Sequence, residues 1–313
     1  MNLKKALWLI APLILMLCTA VSCNTAAKVA GDVSDSLGRT ITFDTIPERI
    51  VSVAPSSTEI LYALGLGDRV VGVSNVCDYP VEVTTKYSKD DGTMVGDAFG
   101  MNLEAMIALE PDFVLGFGYN QLDWVLKLES QGIPVVILAP NNIDDLLTDI
   151  ELIGKITGVE ETAKELTADK RTELDDITTK VKVKTAAGVR PTILFETGYW
   201  NGIWTTGAGS FVSNLINLAG GTDIGISVSS GNPLISMEFI TEQDPDMIIL
   251  GDSPWETKET VIARGGAWLQ LTAVDQEKIY DLDADLVSRN GPRVIDGIKA
   301  LVNIIHPDIE LEV

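Results

Sequence analysis

NLEAMIALEPDFVLGFG at residues 102–118 and SMEFITEQDPDMIILG at residues 236–251 spell nearly the same local structure. At one constant offset Glu104 pairs with Glu238, Pro111 with Pro245 and Asp112 with Asp246. Each stretch opens on a small polar residue, Asn102 or Ser236, of the kind that accepts from the free N–H groups at a helix start. Each then runs through a short apolar helix, breaks at a Pro-Asp turn and enters an apolar strand. A second pair, EILYALGLGD (59–68) and NLINLAGGTD (214–223), repeats an apolar helix ended by glycine. Duplicated helix and strand units predict two similar α/β lobes, and two lobes imply a cleft between them.

Around these stretches the pattern alternates. Apolar runs at 50–53, 70–73, 113–117 and 135–138 read as strands, with helices near 57–64, 102–109, 120–131 and 142–154. The second half repeats the scheme, with strands at 192–196, 247–250 and 278–282 and helices near 209–219, 237–243, 261–270 and 292–304. Short apolar strands separated by helices imply mostly parallel sheets. Between the halves, residues 159–184 carry neither Pro nor Gly, and Ala163, Leu166, Leu174, Ile177 and Val181 form an apolar stripe. At 1.5 Å per residue such a helix spans roughly 40 Å, enough to bridge two lobes, and lobes held by one helix should move little. The expected organisation is an N-terminal lobe over 38–157, a backbone helix over 158–186 and a C-terminal lobe over 187–313.

The first residues read differently. Lys4 and Lys5 precede the apolar run ALWLIAPLILML, which is too short for a comfortable membrane span and reads as a secretion signal over 1–22. It ends in AVSC, which resembles the lipobox of bacterial lipoproteins, so Cys23 is the expected lipidated first residue of the mature chain. The small polar residues that follow read as a tether over 23–37 that holds the folded part off a membrane. Cys18 leaves with the signal and Cys23 carries lipid, so Cys77 would be the one remaining thiol and no internal disulfide is expected. The net charge of −22 argues against nucleic acid as a partner and otherwise serves solubility. With a single histidine, His306, a zinc or manganese binder of the His-rich kind is not expected, and Cys77 reads as a small buried group. No GxSxG, GxxxxGK[ST] or HExxH motif is present, so an enzyme is the weaker reading.

RIVSVAPSSTEILYALGLGDRVVGVS, CDYP (77–80), GMNLEAMIALEPDFVL, WTTGAGSFVSNLINLAGG and DLVSRNGPR (285–293) together resemble the solute-binding proteins of bacterial ABC importers that have one helical backbone between two α/β lobes. That class takes up corrinoids, haem and iron-siderophores, and the spacing is most similar to its cobalamin-binding members. The resemblance implies a monomeric, lipid-anchored extracytoplasmic receptor that captures a corrinoid, with no resident cofactor, and delivers it to an ABC permease dimer. Haem and ferric siderophore are the alternatives within the class, and ligand sensing is an alternative to import. The resemblance further implies ligand contacts at Asp285 through Arg289 and docking on the permease through Glu104 and Glu238. The chain departs from the cobalamin-binding pattern at Val76, Ala98 and Asn232, with Phe99 beside the second of these.

Ligands of open α/β sheets lie beyond the carboxyl ends of the strands, and those ends carry rings and polar groups here. Asp78 and Tyr79 follow one strand, Phe117 and Tyr119 another, and Tyr199, Trp200 and Trp204 a third, the last three in a glycine-rich loop. Such rings suit a large, flat, partly apolar ligand. Arg289 offers a guanidinium to a ligand carboxylate, phosphate or amide oxygen. Asn232, Phe99 and Asp285 complete the expected ligand set.

Overall fold

The computed structural model describes residues 31–313 apart from 98–99, 119–121, 187, 189, 254 and 310. It opens on an antiparallel hairpin of β1 (Gly31–Ser34) and β2 (Thr40–Phe43). Val33, Ile41 and Phe43 are buried, and the Asp35 carboxylate accepts from the Leu37 and Arg39 amides, both at 3.0 Å. Residues 31–37, expected within the tether, are therefore part of the folded body. Polar residues dominate this segment, and only its alternate side chains reach the core, so the apolar signal is thin.

In the first lobe, β3 (Ile50–Ser52), β4 (Val70–Val73), β7 (Phe113–Phe117) and β8 (Val135–Leu138) form a parallel sheet in the order β4-β3-β7-β8. The links between them carry α1 (Pro55–Ala63), α2 (Val83–Lys86), the small hairpin β5 (Gly96–Asp97) and β6 (Gly100–Met101), α3 (Leu103–Ala108) and α4 (Leu122–Ser130). Helices α5 (Ile143–Thr157) and α6 (Glu160–Thr185) follow. The second lobe contains β9 (Thr192–Tyr199), β10 (Ile203–Thr205), β11 (Thr222–Asp223), β12 (Leu234–Ile235), β13 (Met247–Ser253) and β14 (Ile279–Asp283). Its helices are α7 (Phe211–Leu218), α8 (Met237–Gln243), α9 (Lys258–Ala263), α10 (Thr272–Asp275), α11 (Asp285–Ser288) and α12 (Val294–Ile305). Here β11, β13 and β14 run parallel in the order β11-β9-β13-β14, the same arrangement as in the first lobe, while β10 and β12 extend the sheet antiparallel.

The paired sequences make matching structure down to single bonds. Asn102 accepts from the Ala105 amide at 3.0 Å and Ser236 from the Phe239 amide at 3.2 Å, which caps α3 and α8 alike. Glu110 and Asp244 end the two helices at φ of 46° and 38°. Asp112 then accepts from the Glu48 and Arg49 amides at 2.6 and 2.8 Å, and Asp246 from the Thr192 amide at 2.8 Å, so each aspartate ties the strand it opens to the start of the neighbouring strand. The second pair also holds: the amides of Leu66 and Gly221 reach back to the carbonyls of Leu61 and Ile216, past Gly65 and Gly220 at φ of 72° and 85°.

Helix α6 packs on α5 and α12, with Ala163, Ile177 and Val181 buried. A Cβ on Gly154 of α5 would lie 2.3 Å from the Ala163 Cβ, so only glycine allows the two helices this approach. Phe113 of the first lobe and Phe195 of the second belong to one apolar core that passes between the lobes through α5, α6 and α12. Two local expectations are corrected. The helix expected over 261–270 is broken, because Gly265 and Gly266 take φ of 65° and 57°, and α9 gives way to a 3-10 turn over 266–270. The aromatic stretch at 199–204 is the tip of the β9–β10 hairpin and not a loop, with Asn201 and Gly202 both at positive φ in the turn.

Candidate ligand-binding site

The carboxyl ends of both parallel sheets supply the groups of the cleft. Beyond β4 stand Asp78 and Tyr79, beyond β8 stand Asn141 and Asn142, and beyond β14 the short α11 leads into Arg289 and Arg293. These last two arginines cross to the first lobe. Arg293 grips the buried Glu59 of α1 in bidentate fashion at 2.9 and 2.6 Å and lies 3.8 Å over the Tyr79 ring. Arg289 binds both oxygens of Asp78 and holds Asp285 at 2.8 Å. Burial pushes the Glu59 carboxyl up against the opposing pull of Arg293, while the Arg289 guanidinium holds Asp78 below the usual carboxylate range. Both guanidiniums are thus countered from within the protein. The sequence-predicted Asp78, Tyr79, Asp285 and Arg289 do come together, but as one inter-lobe ionic cluster.

The second lobe contributes the rings. Trp204 stacks on Trp200 with centroids 5.3 Å apart and donates its indole N–H to the Trp200 carbonyl at 3.1 Å. The Trp200 ring lies over Gly198, where any Cβ would collide with it. Tyr199 points to the opposite face of the strand. There its ring caps the Arg264 guanidinium at 3.8 Å, and the Trp268 ring lies 4.6 Å from the same group. Arg264 in turn pairs with the fully buried Glu196 and with Glu256, both partners of a charge that has almost no access to water. The three predicted rings are therefore split between two faces of one hairpin.

Two recesses open on the cleft. One, of about 550 Å³, is lined by Thr197, Ser210, Phe211, Asn232 and Ser288 of the second lobe. The other, of about 480 Å³, lies between the lobes, with Asn141 and Asn142 on one side and Ser210, Asn214 and Asn217 on the other. Ser210 lines both. Asn232 is exposed at the first recess, and Phe117 is half-buried against the core at the end of β7. Cys23, Phe99 and Tyr119 lie outside the described residues. Cys77 is buried and accepts from the Thr58 hydroxyl at 3.2 Å, and burial pushes its thiol up, so it is an inert core group. Among the described residues no group of three or more His, Cys, Asp or Glu side chains is arranged to hold a metal ion.

Sequence reasoning missed Trp255, 85% exposed just beyond the end of β13. Its signal was the same rule that found the other rings, but the strand was read as ending at Leu250 when it runs to Ser253. It also missed Glu59 and Arg293, whose pairing joins residues far apart in the chain.

The model of a family described as periplasmic binding protein matches residues 50–286. The chain belongs to that family. It is 32% identical over 280 residues to the ABC transporter substrate-binding lipoprotein YvrC of Bacillus subtilis, covering 88% of this chain and 85% of that one. It is 29% identical over 278 residues to a cobalamin-binding protein of Halobacterium salinarum, covering 87% and 73%. The structure of a possible iron-binding periplasmic solute-binding protein from Staphylococcus epidermidis superimposes with a TM-score of 0.70 at 30% identity, covering 84% of this chain and all of the other. The chain is thus an ABC transporter substrate-binding protein, of a family that binds solutes outside the cytoplasm and is not named for any reaction. No described helix is long and apolar enough to cross a membrane.

Proposed function

We propose that this binding protein captures a corrinoid, cobalamin or cobinamide, and delivers it to an ABC permease. In this reading Cys23 carries the lipid that anchors the chain outside the cell membrane, and Glu104 and Glu238 dock on the two halves of the permease.

The observation that carries the ligand class is the state of the cleft's charges. Arg289 is countered by Asp78 and Asp285, and Arg293 by Glu59, while both recesses are lined by amides, hydroxyls and apolar groups. Haem presents carboxylates, which are acceptor-only anions and need an available cation when taken from water. A corrin ring presents neutral primary amides, which the asparagines and serines here can match without burying an unpaired charge. The rings at 200, 204 and 255 suit its broad partly apolar face. The cobalamin-binding relative supports the same choice, and the iron-binding neighbour names the competing one.

Titrating the full chain in detergent with cyanocobalamin, dicyanocobinamide, haemin and a ferric hydroxamate, and following tryptophan fluorescence, tests the reading. The corrinoids should quench and saturate at one site while haemin and the siderophore do not. Saturable binding of haemin or siderophore with no response to either corrinoid refutes it.

A further inference from the structure

Six of the neutral polar side chains that line the two recesses, which share Ser210, differ in their bonding states. Asn142 caps α5: its Oδ1 accepts from the Asp145 amide at 2.9 Å and its Nδ2 donates to Asp145 at 3.1 Å. Asn217 accepts from Arg190 at 2.7 Å, and Ser210 accepts from the Ser213 amide at 3.2 Å. These three are held by the fold. Asn141 and Asn232 are exposed, one on each lobe, and each lines a recess. Asn214 lines the inter-lobe recess with its Oδ1 buried and without a hydrogen-bond partner. A buried acceptor left unpaired is costly, so a donor is expected to reach it in the working state of the site. The terminal torsion of asparagine is broad, and a modest turn presents Oδ1 to the recess.

We infer that Asn141, Asn214 and Asn232 form the subsite that reads the amide periphery of the ligand and gives the protein its preference for amidated corrinoids over carboxylated ones. This rests on the corrinoid reading and deepens it. A primary amide donates two N–H groups and accepts through its carbonyl, so it can satisfy the Asn214 oxygen while receiving an N–H from another asparagine. A carboxylate only accepts, leaves the Asn214 oxygen unpaired and brings a charge to recesses whose lining side chains include no cation. Discrimination by an unmatched donor or acceptor is steeper than discrimination by size, because the wrong ligand leaves groups unpaired on both sides.

The test compares two corrinoids of nearly equal shape, dicyanocobinamide and dicyanocobyrinic acid, whose peripheral side chains are amides in the first and carboxylates in the second. Affinities are measured by tryptophan quenching at pH 7.5 for the full chain and for Asn141→Asp, Asn214→Leu and Asn232→Asp, each with its melting temperature. The full chain should favour the amide by about 100-fold, and each substitution should weaken amide binding by about tenfold, as for one lost bond that leaves a polar group unmatched. The exposed Asn141 and Asn232 variants should melt as the parent does. Should Asn214→Leu fold poorly, Asn214→Ala removes the same acceptor with less bulk and should show the same loss. Equal affinity for the two corrinoids, or wild-type affinity in all the variants, overturns the subsite while leaving the corrinoid reading standing. Binding of neither corrinoid overturns both.

Discussion

Asp149, in α5, has one carboxylate oxygen 2.9 Å from the Ser36 hydroxyl and the other buried without a partner. Burial, with Asp145 and Asp35 adding repulsion, pushes its carboxyl up to about 7. A carboxyl that holds its proton more tightly when folded makes the native state bind more protons than the unfolded chain between about pH 4 and pH 7. Its contribution is present below that window and is lost as pH rises through it. Asp149→Asn keeps the acceptor for Ser36 and removes the charge, so it should raise the melting temperature by several degrees at pH 8 and leave it nearly unchanged at pH 4. Equal melting curves at pH 8 would contradict this account of the site. At the same scale, Trp255→Ala should weaken corrinoid binding by roughly 1–3 kcal/mol, the usual loss for an aromatic anchor. The change should not affect melting, because the ring is 85% exposed. Binding titrations alongside melting curves separate the two effects. Neither residue stood out in the sequence. One looks like any helix aspartate until the hairpin of residues 31–43 covers it, and the other was lost to a strand end misplaced by three residues.

At the scale of elements the sequence was most legible where the chain repeats itself. The caps at Asn102 and Ser236, the aspartates Asp112 and Asp246, and the glycines Gly65 and Gly220 all follow from local chemistry that a single stretch displays. Elements whose signal is brief were harder. Asn201-Gly202 between alternating residues is a hairpin signature, yet the surrounding glycines read as a loop. Gly265-Gly266 interrupts a stretch whose apolar spacing otherwise suits a helix. Glu104 and Glu238 stand at the second position of matching helices, both exposed. Because α3 and α8 feed β7 and β13 through tight turns, both helix starts lie toward the carboxyl ends of the strands, the side on which the cleft opens. A favourable helix dipole accounts for one such glutamate but not for equivalent placement on both lobes. In the proposed docking, two like charges so placed would meet two basic sockets on a two-fold symmetric permease. The double change Glu104→Ala with Glu238→Ala should leave corrinoid affinity and melting as they are and sharply reduce binding to permease-containing vesicles, more so at low salt. Undiminished docking of the double variant would reduce the two residues to helix-start ornaments.

At the scale of the molecule the two lobes are neither independent nor loosely joined. One apolar core runs through α5, α6 and α12, and Glu59–Arg293 and Asp78–Arg289 tie the first lobe to the second beside the cleft. The backbone helix and the two-lobe plan were legible because they depend on periodicity and repetition. The ionic cluster was not, because its partners lie 211 and 234 residues apart and only the fold brings them together. That cluster changes the functional argument most. Read from sequence, Arg289 is a guanidinium waiting for an anion; in the structure its charge is already countered, and the cleft is left with amides, hydroxyls and rings. The central claim is that this cleft selects a neutral, amide-bearing corrinoid over an anionic porphyrin. Calorimetric titration of the full chain with dicyanocobinamide, in the presence of a tenfold excess of haemin, tests it most directly. The account predicts one corrinoid bound per chain with an affinity unchanged by the haemin; loss of the corrinoid signal to competing haemin, or its absence from the start while haemin itself saturates the protein, would contradict it.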